Sequence, residues 1–139
     1  MNENSPTAVA TAGDFGPYLD AIRVGRISLT RCSICRNWLW PPTPYCAECR
    51  QHSVVWETLP PDLGGSIFSF VIVNHTSIPE FKELLPYVLA IVSIDGTDVR
   101  LIGRVLCDSA EVRIGDQVAP VFAGAEGGPV INWSPKPSA

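Results

Sequence analysis

The sequence has only two histidines, His52 and His75, a single methionine, and charge at just 17% of its 139 positions. Histidine is the side chain that titrates most readily near neutral pH, so ready-made acid–base groups are scarce. His75 closes a strand-like run beside Thr76; a solvated or satisfied imidazole outweighs a proton donor there. No G-x-S-x-G elbow, phosphate-binding P-loop or dinucleotide fingerprint occurs, because Gly124, Gly127 and Gly128 fall in a late hairpin without the required spacing. No catalytic residue is assigned. Long apolar runs are missing too: the longest, residues 67–73, contains Ser69 and is far too short to span a bilayer. Residues 1–16 are polar and carry Glu3 and Asp14, unlike a secretory signal. These absences predict a cytoplasmic chain with no membrane partner.

Cysteine, by contrast, is well supplied, with five residues. In a reducing compartment they are better explained as metal ligands than as a disulfide framework. Cys32-Ser33-Ile34-Cys35 and Cys46-Ala47-Glu48-Cys49 form two C-x-x-C pairs ten residues apart. Each such turn aims two thiolates at one point, and two turns supply the tetrahedral sulfur set that zinc favours. Redox chemistry by one pair would need a thioredoxin-like βαβ setting, which the flanks lack, and would leave the other pair unexplained. The expected cofactor is therefore one structural Zn2+ on Cys32, Cys35, Cys46 and Cys49. Four sulfurs fill the tetrahedron, so no position stays open for a catalytic water. Cys107 is solitary, follows an apolar run, and fits a small core residue.

Punctuation along the chain divides it into a mobile tail at 1–16, a helix and zinc ribbon at 17–60, and a β-domain at 61–139. Pro17 opens a helix over 17–24, with Phe15, Leu19 and Ile22 on one face and Gly25 at its end. Residues 26–31 alternate, with Ile27 and Leu29 on one side, and 54–56 suit a second ribbon strand. Pro60, Pro61, Gly64 and Gly65 mark a linker. Five strands are then predicted at 66–74, 87–95, 99–106, 117–123 and 129–133. Hairpin turns are expected at Asp95-Gly96 and Glu126-Gly127-Gly128, a helical turn within 108–114, and another over 79–85 closing one barrel end. The fold class is mainly β: a short N-terminal helix and rubredoxin-like zinc ribbon, then a five-stranded Greek-key OB-fold barrel. A five-stranded sandwich fragment competes.

The formal net charge of −4 is unevenly spread. Arg23, Arg26, Arg31, Arg36 and Arg50 face only Glu48 within residues 21–51, a local +4 suited to a small anion. From Gly64 onward, five cations oppose eight acids for a net −3, which disfavours nucleic acid. A single-stranded nucleic-acid binder remains the alternative function, because OB barrels bind strands on aromatic platforms. Between the cysteine pairs, Trp38, Trp40, Pro41, Pro42, Pro44 and Tyr45 form a stiff loop. Covering a small metal site outweighs a second use, docking an adenine ring or a partner.

With these features in place, residues 15–135 resemble the zinc-ribbon and OB-fold family catalogued as domain of unknown function thirty-five. The likeness rests on the helix ending in Gly25, the four cysteines with Pro41-Pro42, and Gly65-Ser66-Ile67-Phe68-Ser69-Phe70. Leu85-Pro86-Tyr87-Val88, Val112-Arg113-Ile114-Gly115-Asp116 and Trp133-Ser134-Pro135 complete it. Two departures stand out: Arg36 replaces the glycine frequent after the second cysteine, and Trp133 lies one residue further from the last proline of the pattern. The resemblance implies a non-catalytic, acyl-CoA-associated accessory subunit in lipid, steroid side-chain or polyketide metabolism. Its partner would be a thiolase-like acyltransferase or aldolase, or alternatively a hydratase-like subunit. It further implies that helix and ribbon flank the CoA thioester, with Arg23, Arg26 and Arg31 on the phosphates and Trp38 and Trp40 beside them.

Overall fold

Pro17 presets the backbone of a first helical turn, and Gly25 supplies the left-handed residue that stops it. In the computed structural model, which describes residues 9–125 and 128–136, helix α1 spans Gly16–Arg23. Gly25 follows at φ 75° and donates its N–H to the Ile22 carbonyl. The chain divides into two compact units, Met1–Pro61 and Asp62–Ala139. Among the described residues, no helix is long and apolar enough to cross a membrane.

In the first unit, β1 (Ser28–Cys32) is the middle strand of a three-stranded antiparallel sheet, between β2 (Trp38–Leu39) and β3 (Val54–Thr58). The sequence predicts one buried side for this strand, but Ser28, Leu29 and Thr30 are all buried. The physical reason is position: the strand has a partner on each edge and α1 packed against it. Its buried hydroxyls are satisfied, Ser28 Oγ bonding Thr58 Oγ1 at 2.8 Å and Thr30 Oγ1 donating to the Leu39 carbonyl. The expected mobile tail also needs revision. Residues 1–8 lie outside the described residues, but Val9 bridges Val55, and Ala10 is buried with its N–H donating to the Val54 carbonyl at 3.0 Å. This short contact occupies the edge of β3 that β1 leaves free.

The second unit is a closed barrel of β4 (Gly65–Val73), β5 (Tyr87–Ile94), β6 (Arg100–Val105), β7 (Gln117–Ala125) and β8 (Gly128–Pro135), in the order β4-β5-β6-β8-β7. This is the five-stranded Greek-key OB arrangement, not a sandwich fragment. Alternate residues point inward, so Ile67, Val88, Ala90, Val92, Ile94, Leu101, Val105 and Val118 form the core around a fully buried Trp133. The Asp95-Gly96 turn forms, with Gly96 at φ 75° and the Thr97 N–H on the Ile94 carbonyl. Of the second predicted turn, Glu126 and Gly127 lie outside the described residues, while Ala125 pairs with Gly128.

Three local expectations change. Gly64 and Gly65 are buried against the barrel instead of forming a linker: a Cβ on Gly65 would stand 2.5 Å from the Ser93 carbonyl oxygen. The segment at 79–85 does form a turn of 3-10 helix, Pro79–Leu84, but none of its residues is buried, so it seals no barrel end. Residues 108–114 form a turn, with Glu111 N–H on the Asp108 carbonyl, and no helix.

Candidate metal centre

Two hydrogen-bonded knuckles bring the cysteines together. In the first, the N–H groups of Ile34 and Cys35 each point at Cys32 Sγ from 3.4 Å, and Arg36 N–H donates to the Cys32 carbonyl. In the second, Arg50 N–H donates to the Cys46 carbonyl at 2.7 Å. Arg36 and Arg50 occupy equivalent positions, and both have left-handed backbones, at φ 68° and 57°. Such a backbone favours glycine, so the departure at Arg36 recurs at Arg50. The four Sγ atoms all lie within 4.8 Å of one another. Cys32 Sγ to Cys49 Sγ is 3.8 Å and Cys35 Sγ to Cys46 Sγ is 3.7 Å. A regular tetrahedron with metal–sulfur bonds of about 2.3 Å has edges of about 3.8 Å, so the donor set fits zinc in both chemistry and size.

Without a cation, the neighbouring thiols oppose ionisation of Cys49. Cys49 is pushed up to about 12, first by the Cys35 thiol, then by burial and by Cys32. Cys32 goes the other way: burial opposes its ionisation most strongly, but hydrogen bonds from Ser53 and the N–H groups of Cys35 and Ile34 outweigh it and hold it at about 6. Ser53 is a site residue that the cysteine spacing does not reveal. Its buried hydroxyl lies 3.0 Å from Cys32 Sγ, and its carbonyl accepts the Ser33 N–H. Such partners orient a metal ligand and stabilise its charge.

The aromatic loop is built into the ribbon. Trp40 packs against Phe15, Tyr18 and Trp56 with ring centroids 5.6, 5.2 and 5.8 Å away. Tyr18 lies outside the helical pattern of Phe15, Leu19 and Ile22, yet it belongs to this cluster; burial raises its hydroxyl above the ordinary tyrosine range. Trp38 lies under Arg31, whose guanidinium is 4.4 Å from the ring centroid.

Four of the five arginines of this stretch have internal side-chain partners. Arg23 pairs with Asp20 one helical turn away, at 2.7 Å and largely exposed. Arg26 donates from both Nε and Nη2 to the Leu59 carbonyl. Arg31 donates from Nε to the Arg36 carbonyl at 2.7 Å and pairs with Glu57 at 3.2 Å. Arg36 meets the other oxygen of Glu57 at 3.0 Å. Glu57 sits just past the basic stretch in sequence and is absent from its local charge count, yet the antiparallel register of β1 and β3 delivers it there.

A family model described as the ChsH2 rubredoxin-like zinc ribbon domain matches residues 19–55, and one described as the ChsH2 C-terminal OB-fold domain matches residues 56–123. A DUF35 domain-containing scaffold protein from Methanothermobacter thermautotrophicus is 36% identical over 100 residues, covering 70% of this chain and 73% of that one. A probable enoyl-CoA hydratase alpha subunit from Thermomonospora curvata is 31% identical over 81 residues; the aligned part is 58% of this chain and only 24% of that subunit. Among solved structures, one described as an Ltp2-ChsH2(DUF35) aldolase superposes with a TM-score of 0.75 at 23% identity, over 90% of this chain and 96% of the other. A DUF35-family protein of unknown function from Sulfolobus solfataricus superposes with a TM-score of 0.65 at 13% identity, over 91% and 87%. The expected cofactor stands, since the matched ribbon is a zinc ribbon and its four sulfurs are together here.

Proposed function

Because the chain belongs to the DUF35 family, with its ChsH2-type zinc ribbon and OB-fold domain, we propose that it is an accessory subunit. In this reading it docks on a thiolase-like acyltransferase or aldolase and helps form the site for a CoA thioester. The observation that carries it is the 36% identity to a relative described as a scaffold protein, across 73% of that relative. The aldolase named for the superposed Ltp2-ChsH2 structure supports the choice of partner. Four sulfurs complete the tetrahedron of zinc, so the metal shapes the ribbon while the partner supplies nucleophile and base.

Internal partners rank the arginines proposed for the CoA phosphates. Arg23 is held only by an exposed ion pair, which is a weak tether, so it keeps most of its donors for a phosphate. Arg26 and Arg31 each commit two donor nitrogens inside the ribbon. In this reading Trp38, stacked on Arg31, and Trp40 line the thioester site. The test is co-expression with the thiolase-like enzyme and a thioester turnover assay. Arg23→Ala should raise the KM for acyl-CoA by several-fold to about tenfold, the loss of one charge-assisted phosphate contact, with zinc content unchanged. Equal turnover by the enzyme without this chain would refute the accessory role. The hydratase relative favours a second reading, a hydratase-like partner, and the same assay with an enoyl-CoA substrate separates the two.

A further inference from the structure

The barrel carries an exposed apolar strip on its outer face. Val88, Ala90 and Val92 of β5 are buried inside, so Leu89 and Ile91 between them face outward. Ile91 pairs laterally with Ile102 of β6, and the neighbouring rung runs from Val71 through Leu89 to Arg104. Val71, Ile91 and Ile102 are 57%, 37% and 66% exposed. At the bulge between Ile67 and Ser69, Phe68 is turned out and 48% exposed, with the Arg100 guanidinium 3.8 Å from its ring centroid.

The charges on this strip have one sign. Among the described residues, neither Arg100 nor Arg104 forms an ion pair. Arg104 Nε is buried without a hydrogen-bond partner. An apolar centre edged by two unpaired guanidinium groups is complementary to a surface of apolar side chains edged by carboxylates. A second copy docked through the same face about a two-fold axis would bring like charges together. The aliphatic centre gives bases little to stack on, which disfavours nucleic acid.

We propose that this face of β4, β5 and β6 docks the enzyme subunit, which meets it with apolar side chains flanked by Asp or Glu. The proposal rests on the accessory-subunit reading. The test uses the full zinc-loaded chain and the co-expressed thiolase-like enzyme, with affinity measured by calorimetry at physiological salt. Ile102→Asp and Arg104→Glu should each weaken binding about tenfold or more, as loss of an interface anchor does. Ile114→Asp, at an exposed turn outside the strip, should stay within about twofold. Ile102 is mostly exposed, so Ile102→Asp should keep the thermal unfolding and zinc content of the parent chain. Full affinity in the Ile102→Asp and Arg104→Glu chains would overturn the proposal and leave the accessory role standing. No complex with the parent chain at any concentration would overturn both. Self-association of the chain alone, abolished by Ile102→Asp in sedimentation, would assign the strip to a second copy and overturn the proposal.

Discussion

In the ribbon, two of the five buried members of the cluster beside the metal site, Cys32 and Cys46, are metal ligands, and half-buried Tyr18, Leu39, Trp40 and a third ligand, Cys49, complete it. In the barrel, the core is a full set of aliphatic side chains closed around Trp133. The difference teaches what each unit depends on. A unit of some sixty residues buries too little apolar surface to be secure alone, so a metal stands in for missing core; a closed barrel needs none.

Removing the metal should therefore break one side of this comparison and spare the other. Structural zinc contributes roughly 10–16 kcal/mol of apparent binding energy in zinc-finger peptides, more than a domain's usual stability. Chelation or Cys46→Ser should abolish amide protection in the first unit, while strands β4 to β8 remain protected in hydrogen exchange. Acid should act in the same direction, because protons compete with zinc for the thiolates. Protection that survives in the ribbon after complete metal loss would contradict the comparison.

Local spacing made the ligands legible: two C-x-x-C turns need no tertiary information, and β-rich runs bounded by turn signals located all five barrel strands. Whatever depended on pairing across the sheet was hidden. Glu57 reaches Arg31 and Arg36 only because β1 and β3 are antiparallel in one register. Ser53 reaches Cys32 from 21 positions away, and Tyr18 finds Trp40 only once helix and ribbon have packed. The basic stretch carries its positive charge in the fold, but a guanidinium bound to Leu59 or Glu57 is not free to the degree that composition suggests.

The barrel side is tested by adding atoms. Gly103 lies where a Cβ would stand 2.7 Å from both the Ile131 carbonyl oxygen and Trp133 Nε1. The indole is fully buried and cannot yield. Gly103→Ala should cost about 1–3 kcal/mol, the usual range for overpacking. In a domain of this size each kcal/mol lowers Tm by about 4–8 °C. One zinc per chain should still be retained, since the change touches only the barrel. An unchanged melting temperature would mean that the strand relaxes freely around Trp133.

The smallest effect sharpens the comparison within the ribbon, between its two knuckles. A non-glycine residue in the left-handed region costs roughly 1–2 kcal/mol. Introducing glycine relieves that strain but increases the freedom lost on folding by about 0.5–1 kcal/mol. Arg50→Gly should thus stabilise the ribbon by about 0.5–1 kcal/mol, since Arg50 forms no ion pair among the described residues. Arg36 has the same backbone at φ 68°, but its side chain meets Glu57 at 3.0 Å. That pair is partly exposed and is worth between zero and about 1 kcal/mol, so Arg36→Gly should come out close to neutral. Zinc-competition titrations of the two variants give the difference directly. If Arg36→Gly stabilises as much as Arg50→Gly, Glu57 contributes nothing through Arg36; if the gap closes only when Glu57→Gln is added, the ion pair is what offsets the strain of the first knuckle.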